Sequence, residues 1–436
     1  MNGKIQISPD HPRYWQYKGQ PTLLLGGSVE DNLFQISGIR EHLDLLQSVG
    51  GNYVRCTMSC RDPENAWPFA KVGDLYDLDV WDLAFWQRFN RFLLLTAERD
   101  IIVQIEVWDR FDYAREFWAA NPFNPLNNST YTAEESGLPT VVEGHAGKNE
   151  NSFFRTIPAE DNQLTVLKYQ QRLVDEYLRY ALAYGHVLYC MDNETSATAS
   201  WGAYWSSYIK ARAAEVGATV ETTEMWDAHD LADPQHRNTF DHPELYSFVD
   251  VSQNNHQVGQ AHWDNMQAVR ARLNPLRPMN NVKIYGADGF RFGDTRDGTE
   301  RFWRNIIGGM ASARFHRPPA GIGLDETAQA HLKSARMLTD RMRIFDCEPR
   351  NDLLRDRADN AAYLTARPGV EYALYFPDGQ PVGLDLATDG GIWSLGWLDI
   401  AASAWREPVV VQGGQVVALT PPGRGHWAAL LQRSNG

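Results

Sequence analysis

Residues 101–110 read IIVQIEVWDR, a mainly apolar run that ends abruptly in charged residues. A short run that is apolar at most positions is typical of a strand buried on both faces, as in a parallel sheet. The preceding segment, WDLAFWQRFNRFLLLTAERD at 81–100, carries apolar residues at helical spacing. An amphipathic helix that leads into a buried strand predicts a repeating βα architecture.

Seven similar runs alternate with helix-like segments along the chain. They are TLLLGGS at 22–28, NYVRCTM at 52–58, HVLYCMDNE at 186–194, ATVETTE at 218–224, YSFVDVSQ at 246–253, NVKIYG at 281–286 and SARFHRP at 312–318. Helical spacing recurs at 39–50, 163–185 and 299–311. Together they predict an α/β fold, a (β/α)8 TIM barrel over residues 1–350 that begins with a short β-hairpin. The long segment 110–158 is expected to cover the catalytic face.

The texture of the sequence changes after about residue 355. Runs such as EYALYFPDGQPVGLDLA at 371–387 and EPVVVQGGQVVALTPP at 407–422 are short, strand-like and interrupted by Gly and Pro. No long helical pattern follows them. Residues 355–436 are therefore predicted to form a small antiparallel β-sandwich behind the barrel.

Charge and composition exclude several classes of partner. The 436 residues include 41 Lys and Arg against 55 Asp and Glu, a net charge of −14. This acidic balance disfavours binding to nucleic acid or to an anionic membrane. No apolar run approaches the roughly 18–20 residues that span a bilayer. The sequence as it stands predicts a cytoplasmic protein, or a secreted or periplasmic one if a leader was removed. No cofactor and no metal site is predicted, and the oligomeric state is left open.

Polar and aromatic residues stand where nearly every predicted barrel strand ends. Since catalytic residues of such barrels lie at the carboxyl ends of the strands, this rim is the predicted active site. In chain order the rim contains Asp31, Arg55, Glu106, Trp108, Asp109, Asn193, Glu194, Glu224, Trp226, Asp227, His256, Lys283, Asp288, Arg314 and His316. The chain also has 15 Trp, 18 Tyr and 18 Phe, and flat rings are what a sugar-binding cleft needs.

The pair Asn193-Glu194 closes predicted strand four, and Arg55 closes strand two. This arrangement resembles the (β/α)8 glycoside hydrolases of the retaining clan GH-A, in which the Asn binds the sugar 2-hydroxyl and the Glu is the general acid/base. The opening HPRYWQYKGQPTLLLGGSVEDNLF at 11–34 resembles the apiosidase-like members of that clan. The C-terminal segment is similar to the collagen-binding-type β domain that follows those barrels.

Strand seven departs from that resemblance. Members of the clan carry a nucleophilic Glu at its end, whereas RPMNNVKIYGADG at 277–289 places Lys283 at or near that position. Three interpretations remain open. Asp288 is the nucleophile, or a carboxylate from another strand end (Asp31, Glu106, Asp109, Glu224 or Asp227) is the nucleophile or base, or the chemistry differs and Lys283 is a charge stabiliser or base.

The remaining rim residues are expected to bind substrate. A wall of Trp108, Trp201, Trp205 and Trp226 beside a carboxylate would raise the pKa of Glu194, so that it keeps a proton near neutral pH. His256 is expected to contact the nucleophile or the substrate. Arg314 and His316 either bind a uronate or sulfate group or brace the loops.

The sequence thus predicts a glycoside hydrolase that cleaves a plant, algal or microbial oligosaccharide or polysaccharide. Its catalytic residues are predicted to be Glu194, as general acid/base, and Asp288. The predicted substrate-binding residues are Asp31, Arg55, Glu106, Trp108, Asp109, Asn193, Glu224, Trp226, His256, Lys283, Arg314 and His316. Two alternatives are a glycan-binding barrel without turnover and a sugar lyase or isomerase that uses Lys283 and His256.

Overall fold

The computed structural model describes residues 3–434, and its centre is a closed barrel of eight parallel strands. Barrel strands one to eight are Leu24–Gly27, Tyr53–Thr57, Ile102–Trp108, Val187–Asp192, Thr222–Thr223, Val249–Asp250, Met279–Asn280 and Ser312–Phe315. Strands five, four, three, two, one and eight form one sheet in that order, and strands six and seven pair with each other. A bridge between Ile284 and Phe315 joins seven to eight, and the Phe248 N–H donates to the Thr222 carbonyl at 3.4 Å to join five to six. The predicted barrel is confirmed.

Strand seven is shorter than predicted and begins earlier. The ladder covers only Met279–Asn280 instead of 281–286, and one further bridge follows at Ile284. The backbone N–H groups of Asn281, Val282 and Lys283 donate to the side-chain oxygens of Ser312, Ser252 and Asn281, at 2.9, 2.9 and 3.2 Å. Since these side chains satisfy the donors, a regular ladder is not formed there.

Ten helices surround the barrel within the described residues. They are α1 Ile39–Ser48, α2 Leu83–Glu98, α3 Arg115–Ala120, α4 Ala133–Ser136, α5 Leu164–Ala181, α6 Ala199–Glu215, α7 Pro234–Phe240, α8 Gly259–Arg272, α9 Thr295–Ile307 and α10 Glu326–Thr339. The four predicted helices correspond to α1, α2, α5 and α9. Helix α9 starts before the predicted residue 299 because Asp294 and Asp297 form a reciprocal capping box.

The segment 110–158 carries the short helices α3 and α4 and is ordered by asparagine side chains. Asn124 Nδ2 donates to the carbonyls of Trp118 and Thr140, both at 3.0 Å, and Asn128 Nδ2 donates to Pro122 at 3.0 Å. These bonds replace the ladder that a regular element would supply.

The C-terminal region is the predicted antiparallel β-sandwich. Its larger sheet contains Glu348–Pro349, Tyr363–Arg367, Glu371–Phe376, Ile392–Asp399, Ala404–Trp405, Val409–Gln412 and Trp427–Arg433, and its smaller sheet contains Leu354–Arg355, Val382–Asp385 and Val416–Leu419. A separate apolar core fills the space between the sheets. The larger sheet packs on the barrel through α9, where Trp303 stacks on Tyr375 with ring centroids 5.5 Å apart.

The N-terminal hairpin is a three-stranded antiparallel sheet of Gln6–Ile7, Trp15–Tyr17 and Gln20–Thr22. A second hairpin, Phe69–Val72 with Leu75–Trp81, follows barrel strand two. Trp15 is fully buried at the amino end of the barrel and donates its indole N–H to Asn280 Oδ1 at 3.0 Å. In the part of the chain that the structure describes, no helix is both long and apolar enough to cross a membrane.

Candidate active site

The centre of the barrel mouth is an ion pair between the ends of strands four and seven. Lys283 Nζ lies 2.5 Å from Glu194 Oε1 and donates to Asn193 Oδ1 at 2.7 Å. The Tyr285 hydroxyl donates to the same Glu194 oxygen at 3.0 Å. Glu194 has φ of +52°, a left-handed conformation that is strained for any residue with a Cβ. The backbone therefore turns sharply at this residue, which is common at functional sites.

Arg55, on strand two, joins the ends of strands one, three and four. Its guanidinium donates to Glu106 Oε1 at 2.6 Å, to Asn193 Oδ1 at 2.9 Å and to Asp31. Arg55 is 0% exposed and Glu106 is also fully buried, so neither can touch a ligand in this arrangement. The structure brings these predicted residues together as a layer that orients Asn193.

The charge state of Glu194 differs from the expectation. Burial opposes its ionisation, but the Lys283 ammonium and the hydrogen bonds from Lys283 and Tyr285 outweigh burial and lower its pKa to about 2. The expected rise in pKa was wrong because the neighbour that decides it is a cation. At neutral pH Glu194 is an ionised carboxylate and has no proton to donate.

A second carboxylate, Asp227, lies beside this pair at the end of strand five. Its backbone N–H donates to the carbonyl of Thr195, the residue after Glu194, at 3.0 Å, and a bridge joins Thr195 to Trp226. The Asp227 side chain is half-buried and makes no hydrogen bond or ion pair with any residue of 3–434. Burial, and next the charge of Glu194, raise its pKa. The mouth therefore holds two carboxyl groups in opposite electrostatic environments.

Aromatic rings from the loops after strands five, six and seven form a patch next to the carboxylates. His229 stacks on His256 with ring centroids 3.6 Å apart, and Phe292 meets the edge of His256 at 4.4 Å. Phe292 also stacks on Tyr285 at 4.9 Å. Burial, and next the charge of His229, lower the pKa of His256 to about 4, so its ring is neutral at pH 7. His229 and Phe292 were missed by the sequence analysis, although His229 lies three residues after Trp226 and Phe292 lies in the loop after strand seven.

The four tryptophans expected to line the mouth lie in the core instead. Trp108 and Trp226 are 1% exposed, and Trp201 and Trp205 are fully buried. Trp108 packs against Trp205 with centroids 5.1 Å apart, and Trp226 donates its indole N–H to Thr239 at 2.7 Å. The expectation of a tryptophan wall for a sugar is corrected, because Trp201 and Trp205 sit on the inner face of α6 and hold Trp108 against it.

Several predicted site residues lie away from the ion pair. Asp288 is exposed, and it accepts a hydrogen bond from the Thr295 N–H at 3.1 Å at the start of α9. Arg314 is fully buried and donates to the Val282 carbonyl at 2.6 Å, which matches the bracing interpretation. Asp109 is buried and pairs with Arg61 at 2.8 Å.

His316 reaches the mouth from strand eight. Its Nδ1 lies 3.6 Å from Asp31 Oδ1, and its ring meets the edge of Tyr285 with centroids 5.0 Å apart. Arg317, the next residue, donates to Asp31 Oδ2 at 2.7 Å. Asp31 is therefore held by three cationic or polar groups, and these outweigh its burial so that its pKa falls well below the usual range.

Glu224 lies behind the mouth at the end of strand five and is fully buried. Its Oε1 accepts the backbone N–H groups of Asp192 and Met225, both at 3.0 Å. Burial, and next the charge of Asp192, raise the pKa of Glu224 well above its usual range. Asp192 itself accepts from Arg110 at 2.9 Å. Glu224 is thus a buried side chain that fixes the backbone of strand four rather than a group open to substrate.

The chain matches no protein-family model and no curated protein. Among solved structures it is similar to a glycoside hydrolase, at 10% identity with 99% of this chain and 97% of that chain covered and a TM-score of 0.67. It is also similar to a family 5 glycoside hydrolase from Bacteroides vulgatus (12%, 99% and 94%, TM-score 0.65). A family 5 mannosidase from Rhizomucor miehei aligns at 10% identity over 78% of this chain and 98% of its own, with a TM-score of 0.54. At these identities the likeness shows the fold, an α/β barrel with additional antiparallel sheets.

Proposed function

We propose that this chain is a glycoside hydrolase whose reacting carboxyl groups are Glu194 and Asp227. The observation that carries the proposal is the different environment of the two groups: Lys283 forms an ion pair with Glu194 and keeps it ionised, while Asp227 forms no ion pair within the described residues and has a raised pKa. Hydrolysis of a glycosidic bond needs one protonated acid and one ionised carboxylate. Environments that push two pKa values apart assign those two roles.

In this proposal Asp227 donates its proton to the glycosidic oxygen as the bond to the anomeric carbon breaks. Glu194 either attacks the anomeric carbon or removes a proton from the attacking water, so its part is the base or nucleophile and not the initial acid. Asn193 Oδ1 already accepts from Arg55 and Lys283, which leaves its amide N–H groups to donate to a sugar hydroxyl. His229, His256 and Phe292 supply ring faces and edges for the sugar.

The structural neighbours support this class of reaction because they are glycoside hydrolases, two of them of family 5. The neighbour aligned over nearly the whole of both chains includes the β-sandwich region as well as the barrel. The finer resemblance to apiosidase-like enzymes, and to a collagen-binding-type domain, stays a prediction.

The proposal is tested by assaying Glu194→Gln, Asp227→Asn and Asp288→Asn against plant, algal and microbial polysaccharides for new reducing ends. We expect Glu194→Gln and Asp227→Asn to lose about 10²–10⁴-fold in rate, the usual contribution of a general acid or base. Asp230→Asn is the matched control, since Asp230 is exposed in the same loop and its side chain accepts, among residues 3–434, only the Ala232 N–H at 2.9 Å.

Other results of these assays would change the catalytic roles or the class of reaction. Full activity in Asp227→Asn with loss in Asp288→Asn would transfer the second role to Asp288. An unsaturated product would indicate the lyase alternative. The anomer released, followed by proton NMR, separates attack by Glu194 on carbon from activation of water.

A second candidate function is glycan binding without turnover. The contact of Lys283 with Glu194 favours it, because a carboxylate held by an ammonium and a phenol is a weak nucleophile. In that case wild type and Glu194→Gln would bind the same polysaccharide with similar affinity by calorimetry, and neither would release reducing ends.

A further inference from the structure

Arg301 of helix α9 is a buried arginine that contacts three segments of the barrel mouth. Its Nε donates to the Gln257 carbonyl at 2.9 Å, and its Nη1 donates to the carbonyls of Tyr285 at 2.9 Å and Phe292 at 3.1 Å. The residue is 1% exposed. One side chain therefore joins the end of strand six, the end of strand seven and the loop that follows strand seven.

Each of these carbonyls is next to or part of a residue that forms the mouth. Gln257 follows His256, and Tyr285 donates to Glu194. Phe292 packs on the rings of His256 and Tyr285. A buried guanidinium is costly unless its donors are satisfied. Across the described residues Arg301 forms no ion pair with a carboxylate, so its burial is compensated by the three carbonyl dipoles together with the more distant charges of Asp297 and Glu300.

A neighbouring face of α9 is fixed by the β-sandwich. Asn360 Nδ2 donates to Glu300 at 3.0 Å, and Asn360 Oδ1 accepts from Arg304 at 3.0 Å and from the Tyr363 hydroxyl at 2.8 Å. The helix that carries Arg301 is thus anchored by the C-terminal domain, through residues adjacent to Arg301 on its surface.

We propose that Arg301 is a positioning residue that sets the geometry of His256, Tyr285 and Phe292 at the mouth, and that the β-sandwich contributes to the site by fixing the helix that carries it. The expected effect of Arg301 on substrate binding rests on the proposed function, in which the aromatic patch contacts a sugar. The structural part of the proposal does not depend on turnover.

The test is amide hydrogen exchange in Arg301→Gln and Arg301→Lys, read at residues 254–258 and 284–293. We expect exchange in both segments to rise about tenfold in Arg301→Gln, since the tie that closes them is lost. Arg301→Lys keeps the charge but not the planar fork, so an intermediate rise is expected.

Arg277→Gln is the matched control. Arg277 is 2% exposed and also donates to three backbone carbonyls, those of Tyr246 at 2.6 Å, Thr239 at 2.9 Å and Phe240. These carbonyls precede strand six, away from the mouth. Its loss should raise exchange near residues 239–246 and leave 284–293 unchanged.

Asn360→Ala tests the part played by the sandwich. A smaller rise in the same two segments is expected, because α9 loses its anchor while Arg301 remains. Exchange that rises only at the domain interface would overturn this part, and wild-type exchange at 284–293 in Arg301→Gln would overturn the whole. If Arg301→Gln unfolds, Arg301→Lys and Asn360→Ala decide.

Once a cleaved glycan is known, the same variants separate positioning from general stability. Arg301→Gln should raise KM about tenfold with a smaller change in kcat, because the sugar-contacting rings move while Glu194 and Asp227 remain. Equal kcat and KM to wild type would contradict the role at the mouth. Absence of hydrolysis in every protein, wild type included, would sink the proposed function but leave the exchange result standing.

Discussion

The two ends of the barrel are built from the same eight strands with different chemistry. At the amino end, the donors meet neutral acceptors: the Trp15 indole donates to Asn280, and the Arg336 guanidinium donates to the carbonyls of Gly50 at 2.7 Å and Leu23 at 3.0 Å. At the carboxyl end the central contact is the Lys283–Glu194 ion pair, on a residue with positive φ.

This difference shows where the fold accepts a cost. A left-handed conformation costs a residue with a Cβ about 1–2 kcal/mol. Glu194 accepts that cost at the carboxyl end, where the ion pair with Lys283 offsets it. Barrels of this kind place stability at the amino face and chemistry at the carboxyl face. The variants below test whether that division holds here.

Lys283→Met should give the largest effect. The Glu194 pKa of about 2 lies well below its ordinary value of 4.5, which corresponds to about 3 kcal/mol of stability at neutral pH. Because the pKa is lowered by folding, this contribution is present above pH 4.5 and is lost as the pH falls toward 2. The free energy of unfolding in urea should therefore differ between wild type and variant by about 3 kcal/mol at pH 7 and by about half of that at pH 3.

Arg336→Met is the amino-end control for that experiment. Arg336 donates to two backbone carbonyls and, at 2.7 Å, to the side-chain amide oxygen of Asn52. Among the described residues it forms no hydrogen bond with a carboxylate. Burial lowers its pKa to about 10, so the group stays charged from pH 3 to 7. Its loss should cost the same at both pH values. A cost of Lys283→Met that is also independent of pH would remove the contrast between the ends.

Glu224→Gln should give a smaller effect of the opposite sign. Folding raises the pKa of Glu224, so the protonated acid stabilises the fold at low pH and this stability is lost as the pH rises above 4.5. Glutamine carries no such penalty. The variant should match wild type near pH 4 and become the more stable of the two as the pH rises toward 8, measured by urea denaturation.

Glu300→Gln provides the contrast. Glu300 accepts a hydrogen bond from the Asn360 amide and pairs with Arg296 and Arg304, both at 2.9 Å. Together these three contacts outweigh the effect of burial and lower the pKa of Glu300. That substitution should cost stability at pH 8. A Glu224→Gln variant that behaves like Glu300→Gln would show that Glu224 is ionised in the folded protein.

The sequence was sufficient for the barrel but only partly for the site. Strand three and α5 were predictable because apolar spacing reflects burial on a sheet or a helix face. Strand seven was misplaced because Ser252 and Ser312 accept from its backbone N–H groups, and these residues lie after strand six and at the start of strand eight. The sequence of a strand does not show that side chains distant along the chain will replace its backbone hydrogen-bond partners.

The site shows the same limit more clearly. That Asn193, Glu194 and Lys283 stand at strand ends was predictable, but their contact depends on how the barrel closes. The sign of the Glu194 pKa shift followed from that contact and was therefore missed. The sequence also did not determine whether Trp201 and Trp205 face the core or the mouth, because a tryptophan that packs in the core and one that binds a sugar look the same in sequence.

Asp325→Ala should give the smallest effect and separates location from role. Asp325 caps α10 at the carboxyl end of the barrel, where its side chain accepts the Ala328 N–H at 2.8 Å. It is exposed and has no contact with the ion pair. Losing such a cap costs about 1 kcal/mol. We expect that loss in urea denaturation at every pH, with unchanged exchange at residues 284–293 and, once a substrate is known, a rate within about twofold of wild type. A larger loss of rate would mean that the loops at the carboxyl end are coupled to one another. Asp325 does not contact Glu194, so its substitution could change the rate only by shifting the loops that hold the active-site residues.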